Sequence, residues 1–157
     1  MPPTIRAARA ADRATAIELW AALHREHEAH DARYRIAEDA AQRWATDIRE
    51  WIRSPQDGVW LADAEDAVVG LLTAHLYEPT PTFQPLLFLY VDDLYVRPPW
   101  RGSGVGRALL DAAAAWGKER GAVEVRAGVL ASNPSARGFW QAVGATDYSV
   151  TVTAPLT

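Results

Sequence analysis

Gly102, Gly104 and Gly106 stand at alternate positions between a β-favouring apolar run and a helix-forming one. The first run, Leu86 to Val96, stops before Pro98-Pro99, and the glycine segment opens directly into an Ala/Leu-rich stretch. Small residues at such a turn leave successive backbone N–H groups uncovered at a helix N-terminus. With the helix dipole they form an anion site suited to phosphate. Arg101 and Arg107 flank it and would add charge. A phosphorylated small molecule is the expected ligand. Just upstream, Asp92 and Asp93 interrupt the apolar strand. Two carboxylates there are expensive to bury without partners, which makes them candidates for acid–base work. The alternative is a pair of solvated aspartates at a strand edge or bulge. In a regular strand the two side chains point to opposite faces.

Several phosphate loops compete for the glycine segment. A P-loop needs Lys and then Ser/Thr after its last glycine, and Arg107-Ala108 stand there instead. A dinucleotide fingerprint spaces its glycines one and then two residues apart, whereas these are each one apart and lie mid-chain without a preceding βαβ unit. A glycine turn that merely starts a helix is the remaining plain reading.

The elements that must position these groups follow from periodicity. Ile5 to Ala8 reads as a short strand, and Asp12 as the N-cap of a helix running to about Ala29. Ala37 to Arg53 carries Ala40, Trp44, Ile48 and Trp51 at helical spacing. Val59 to Ala62 and Val68 to Tyr77 read as strands joined across an acidic turn, followed by a Pro-rich loop and the strand Leu86 to Val96. Gly104 to Arg120 is a helix, Val123 to Leu130 a strand, and Pro134 to Val143 a helix capped by Ser132 or Asn133. Asp147 to Thr153, rich in β-branched residues, is expected to form a last strand. The order β-α-α-β-β-β-α-β-α-β gives an α/β (α+β) fold, a mixed and mostly antiparallel sheet flanked by helices.

The 157 residues fit one domain, residues 1–157, with an ordinary globular composition. A net charge of −4 argues against nucleic acid or an anionic membrane as partner. No apolar run reaches membrane-spanning length, and Met1 to Arg6 lacks the apolar core of a signal peptide. With no cysteine, thiol nucleophiles and disulfides are excluded, and a cytoplasmic location is expected. The seven tryptophans are expected in the core or in pocket walls.

The chain resembles the GNAT superfamily of acyl-CoA-dependent N-acetyltransferases. That family's signature is Arg/Gln, two residues, Gly, one residue, Gly/Ala, after a strand ending in Val-x-Pro. Arg101, Gly104 and Gly106 stand in that register behind Val96-Arg97-Pro98. The family's second motif is matched by Asn133-Pro134-Ser135-Ala136, the aromatic pair Phe139-Trp140 and Gly144-Ala145. A shorter likeness, Val91-Asp92-Asp93-Leu94, is to the diamine acetyltransferase branch.

The resemblance implies acetyl-CoA as co-substrate, with no metal. Its pyrophosphate would lie on the amides of Gly102, Ser103, Gly104, Val105, Gly106 and Arg107, beside Arg101. Leu94, Tyr95 and Val96 would present N–H groups to the thioester carbonyl, in a wedge where the strand splays from its neighbour. Asn133, Ala136, Phe139 and Trp140 would support the pantetheine arm, and Asn133 reads equally well as a plain helix cap. Asp92 stands where several relatives carry a glutamate base. An ordinary aspartate titrates near ~4, so it would act through water or with a raised pKa. Many relatives place a tyrosine acid where this chain has Trp140, leaving Tyr148 or Tyr95 as substitutes, or an unassisted thiolate.

The acceptor pocket implied by the fold is lined by Glu26, His27, His30, Asp31, Tyr34 and the loop from Glu78 to Gln84. An acidic and aromatic lining suits a small cationic amine. His24 to Asp31 lacks the His-Glu-x-x-His spacing of a metal helix and reads as a solvated face. A homodimer that completes the sheet is a further expectation. The competing reading is a CoA-binding sensor or assembly protein that kept the fold without the chemistry.

Overall fold

A computed structural model describes residues 2–157. The elements in chain order are β1 (Thr4–Ala7), α1 (Arg13–His30), α2 (Ala40–Trp51), β2 (Asp57–Ala64), β3 (Ala67–Tyr77), β4 (Phe88–Val96), α3 (Val105–Glu119), β5 (Glu124–Ala127) and α4 (Pro134–Ala142). The strands form one sheet in the order β1-β2-β3-β4-β5. Neighbours are antiparallel except β4 and β5, which are parallel because α3 carries the chain back across the sheet.

Each face of the sheet buries a helix layer. Trp60, Ala62, Leu72, Ala74, Leu89 and Val91 meet Val105, Leu109 and Ala113 of α3 on one side. On the other, Val59, Leu61, Leu71 and Tyr95 meet Leu19, Trp20 and Leu23 of α1 and Trp44 and Ile48 of α2. The indoles of Trp20 and Trp44 stack at 5.1 Å, which locks α1 to α2. Asp12 stands at the N-cap of α1, but its carboxylate accepts from the Arg9 N–H and pairs with Arg6 instead of capping that helix. The Arg6 contact holds the Asp12 carboxyl below its usual range.

Two departures from the sequence pattern matter. The expected strand Asp147 to Thr153 is not formed; the chain after Gly144 has no regular structure and is exposed. Its alternating Tyr148, Val150 and Val152 suit an extended chain, but a strand exists only where another supplies its ladder, and among the described residues none pairs with this segment. Within β4, the register with β3 shifts: Thr73 faces Asp93 and Ala74 faces Val91, so Asp92 is the extra residue of a β-bulge. The bulge overrides the regular alternation that would have sent Asp92 and Asp93 to opposite faces.

Leu109 is fully buried between α3 and the sheet. Leu109→Ala is expected to cost about 3 kcal/mol in urea unfolding, within the range for a buried leucine that leaves a cavity.

Candidate active site

The β4–α3 junction is open where a ligand would need it. Gly102 and Gly104 adopt φ of +75° and +91°, and a β-carbon on either would meet nothing within 4 Å. Gly106 is glycine for another reason: a β-carbon there would meet the Phe139 ring at 3.1 Å. No side chain caps α3, and its first bond runs from the Ala108 N–H to the Gly104 carbonyl. Among the described residues no backbone acceptor reaches the N–H groups of Gly102 to Arg107. These are the free donors of a helix N-terminus, aimed outward.

The charges beside the junction are already paired. Arg101 donates to the Val96 carbonyl at 2.8 Å and to Glu26 of α1 at 2.6 Å. Arg107 pairs with Asp111 one turn along α3 at 2.9 Å. Ser103 donates to the Trp100 carbonyl and braces the turn.

β4 leaves its parallel neighbour early. The two strands pair from Phe88–Glu124 to Val91–Ala127, and β4 then continues to Val96 with no β5 partner. Leu94, Tyr95 and Val96 therefore stand beyond the last paired residue, as a wedge requires. α4 packs near the end of β4 through Phe139, whose ring shares the space over Gly106 with Val96. The Asn133 side chain accepts from the Ala136 N–H at 3.0 Å, so its capping role is realised. Phe139 and Trp140 pack edge to face at 5.5 Å. Trp140 lines a shallow cavity of about 280 Å³ with Arg107, Leu110, Val125 and Val143.

At the bulge both aspartates turn to the α1 face and acquire partners. Asp93 is buried, accepts from the Thr73 hydroxyl at 2.6 Å and lies 3.6 Å from His24 Nε2. Asp92 Oδ2 is 2.7 Å from His75 Nδ1, and both side chains remain more than a third exposed. Enclosure by the surrounding chain pushes the Asp92 carboxyl up, while the His75 contact pulls the other way. His27 meets His24 at 5.2 Å and Tyr34 at 6.1 Å, which brings Tyr34 and His27 to the same cluster. Burial lowers the His27 imidazole, and the neighbouring His24 adds to the effect.

The other expected residues lie apart. His30 is exposed at the end of α1. Asp31 is held by Arg33 at 2.6 Å, and that contact pulls its carboxyl down to about 2. Tyr95 is buried beneath Arg101 against α1 and α2. Tyr148 lies on the exposed tail, its ring over Arg126, with no hydrogen bond to the bulge. Among the described residues, no group of three or more His, Cys, Asp or Glu is placed to hold a metal ion.

Sequence reasoning missed His24, Thr73, His75 and Tyr90. The Tyr90 ring lies 5.4 Å from His75, and its hydroxyl would meet a β-carbon on Gly128 at 3.0 Å, just past the last β4–β5 pair. One signal was available: Thr73 and His75 alternate within an otherwise apolar strand and so share a face.

Comparisons with known proteins give the family and the fold. Residues 14–145 match the acetyltransferase (GNAT) family. The chain is 31% identical over 146 residues to the aminoglycoside N(6')-acetyltransferase type 1 of Stenotrophomonas maltophilia, spanning 90% of this chain and 85% of that protein. It is 34% identical over 59 residues to the thialysine N-epsilon-acetyltransferase of Bos taurus, or 38% of this chain and 35% of that one. Among solved structures, a mutant protein from Bacillus halodurans superposes with a TM-score of 0.86 at 22% identity, covering 98% of this chain and 99% of the other. An aminoglycoside N-acetyltransferase bound to the bisubstrate analogue CoA-S-monomethyl-acetylneamine superposes with a TM-score of 0.80 at 18% identity, covering 100% and 99%. At such identities the superpositions speak for the fold.

The lowered His27 pKa has a measurable consequence. Above the ordinary imidazole value of 6.5 both folded and unfolded states hold a neutral His27. As pH falls through that value the unfolded chain takes the proton first, so stability drops. His27→Gln is expected to show a smaller loss of unfolding free energy between about pH 7.5 and about pH 5.5, measured by urea titration.

Proposed function

Since this chain belongs to the acetyltransferase (GNAT) family, we propose that it moves the acetyl group of acetyl-CoA to a primary amine of a small cationic molecule. The amine attacks the thioester directly. The observation that carries this reading is the β4–α3 junction: free amide donors at an uncapped helix start, adjoining a strand that has just parted from its neighbour.

In this reading the amides of Gly102 to Arg107 hold the pyrophosphate of the substrate, a role that backbone donors and the α3 dipole fill without further cations. Arg101 would bring charge on releasing Glu26. Asn133, Ala136 and Phe139 flank the pantetheine arm. N–H groups of Leu94 to Val96 face the carbonyl oxygen and stabilise the charge it gains on attack. The amine approaches across the α1 face, where Asp92, Asp93, His24, His27 and Tyr34 give the acidic and aromatic surface that favours an ammonium group. The 31%-identical relative is named for aminoglycosides, which carry several such groups. The proton leaves the amine at the bulge, beside Asp92. Acetyl-CoA as substrate supports a cytoplasmic setting, and the acidic balance of the chain argues against nucleic acid as partner.

The exposed tail supports a homodimer. Tyr148, Val150 and Val152 are 75%, 81% and 86% exposed and alternate along an extended segment. A second copy would supply the missing ladder and cover those side chains.

One observation favours a second reading, a CoA-binding sensor of the same fold: Trp140 cannot donate a proton to the departing thiolate at neutral pH. Free-thiol release from acetyl-CoA with sisomicin, thialysine and spermidine separates the two. Release with at least one amine is expected. Thermal stabilisation by CoA without release from any of them would support the sensor instead. Gly104→Ala places a β-carbon at φ +91° and is expected to raise KM for acetyl-CoA about tenfold, with KM for the amine unchanged, the strain being ~1–2 kcal/mol. Light scattering of the full chain, compared with one ending at Asp147, is expected to show a dimer converted to a monomer.

A further inference from the structure

We propose that the atom that accepts the amine's proton is Nε2 of His75, with Asp92 serving as the carboxylate that holds the imidazole in place. This rests on the transferase reading above and names its base.

The geometry is that of a carboxylate–imidazole dyad. Asp92 Oδ2 lies 2.7 Å from His75 Nδ1, a hydrogen-bond distance in which Nδ1–H donates to the carboxylate. That bond leaves the Nε2 lone pair free, and Nε2 makes no hydrogen bond to any described residue. The bulge creates the pair. Asp92 is the inserted residue opposite the Thr73–Ala74 step, and His75 follows on β3, on the face that also carries Thr73 and Asp93. The side chains are 36% and 37% exposed, so an incoming amine reaches the ring without displacing the core. Tyr90 of β4, 5.4 Å away, and Tyr77 of β3, 6.5 Å away, hold the ring from two sides.

The groups that contacts and register place against this imidazole are acidic or phenolic; beyond Tyr90, its β5 partner Arg126 lays its guanidinium over Phe88. Asp92 and Tyr90 approach from β4, Tyr77 from its own strand, and Asp57 from its register partner on β2. Asp93, on the same face, adds a further carboxylate. A histidine matches the task better than an aspartate. Its ordinary pKa lies near ~6.5, closer to the working pH than a carboxylate near ~4.

The step balances as follows. The ammonium group gives one proton to Nε2, and the freed nitrogen lone pair forms the C–N bond as the carbonyl π pair moves onto oxygen. The oxyanion pair then returns and the C–S bond breaks, its electrons leaving on sulfur as the thiolate. The second nitrogen proton is lost from the tetrahedral intermediate. One of the two protons ends on the thiol and the other passes to solvent from the imidazolium, which regenerates the neutral ring.

The test uses the full chain, with sisomicin or spermidine as acceptor, whichever the wild type acetylates faster. His75→Gln keeps size and polarity but cannot take a proton. It is expected to lower kcat about 100-fold or more, the usual size of a general-base contribution, while KM for acetyl-CoA and thermal stabilisation by CoA stay unchanged. The acid limb of the wild-type kcat/KM profile is expected to vanish in this variant. Asp92→Asn is expected to retain more activity than His75→Gln and to shift that limb to lower pH, because the imidazolium has lost its counter-charge. Added imidazole is expected to restore part of the rate to His75→Ala. If His75→Gln keeps the wild-type rate and acid limb while Asp92→Asn loses both, the carboxylate is the base and the dyad is wrong. If the wild type releases no thiol with any of these amines, the transferase reading itself falls, and the proposal with it.

Discussion

A single inserted residue in β4 sets which polar groups share a face of this sheet. Asp92 has no opposite number on β3, so the strand's alternation skips once and the two neighbouring carboxylates turn toward the same helix layer. Without the insertion one of them would enter the apolar cluster beneath α3, where no polar partner waits. With it, both meet polar side chains of β3: Thr73 for the buried one and His75 for the more exposed one. Bulges also add local twist. Here β5 stops pairing at Val91, one residue before the inserted one, so the acidic face and the open wedge are produced at the same point of the same strand.

The parts built around that point are tied to one another by modest forces. Arg97 joins Glu18 at 2.8 Å and Arg101 joins Glu26 at 2.6 Å, so α1 is linked twice to the segment that leads into α3. All four side chains are at least a third exposed, and such pairs contribute little to stability. Their effect is positional: the helix that bears His24 and His27 is held against the turn that bears the free amides. The larger energies lie in the two apolar layers, where Leu19, Ile48, Leu71 and Leu109 are fully buried. Burial fixes the frame, and the ion pairs tie the α1 face to the glycine turn within it.

Much of this was legible in the residue order because it depends on local chemistry. Strand-to-proline-to-glycine-to-helix is a statement about backbone conformations, and Gly102 and Gly104 adopt the positive φ that the pattern implied. Asn133 caps α4 through a contact three residues away, again a local rule. What the sequence hid was long-range. Gly106 belongs to the same glycine series, but its constraint is the Phe139 ring, 33 positions later. The pairing of Asp92 with His75 spans 17 residues and depends on a register slip that no periodicity reveals. The segment after Gly144 failed in the opposite sense: its β-branched pattern is real, but a ladder needs a neighbour, and neighbours are not encoded in the pattern.

The distribution of polar groups also answers the puzzle posed by Trp140. Acetyl transfer to an amine has two proton problems of unequal difficulty. An alkylammonium near pKa ~10 must be deprotonated to react at neutral pH, whereas a thiol near ~8.5 departs as a thiolate at modest cost. His24, Thr73, His75, Asp92 and Asp93 gather on the face that an amine would cross. The position where relatives carry an acid for the sulfur holds instead an indole, edge to face with Phe139 and against the aliphatic Leu110 and Val143. In the proposed reaction the titratable groups lie on the side of the harder proton and the easier one is left to the chemistry of sulfur, so an indole at that position is compatible with the proposed transfer.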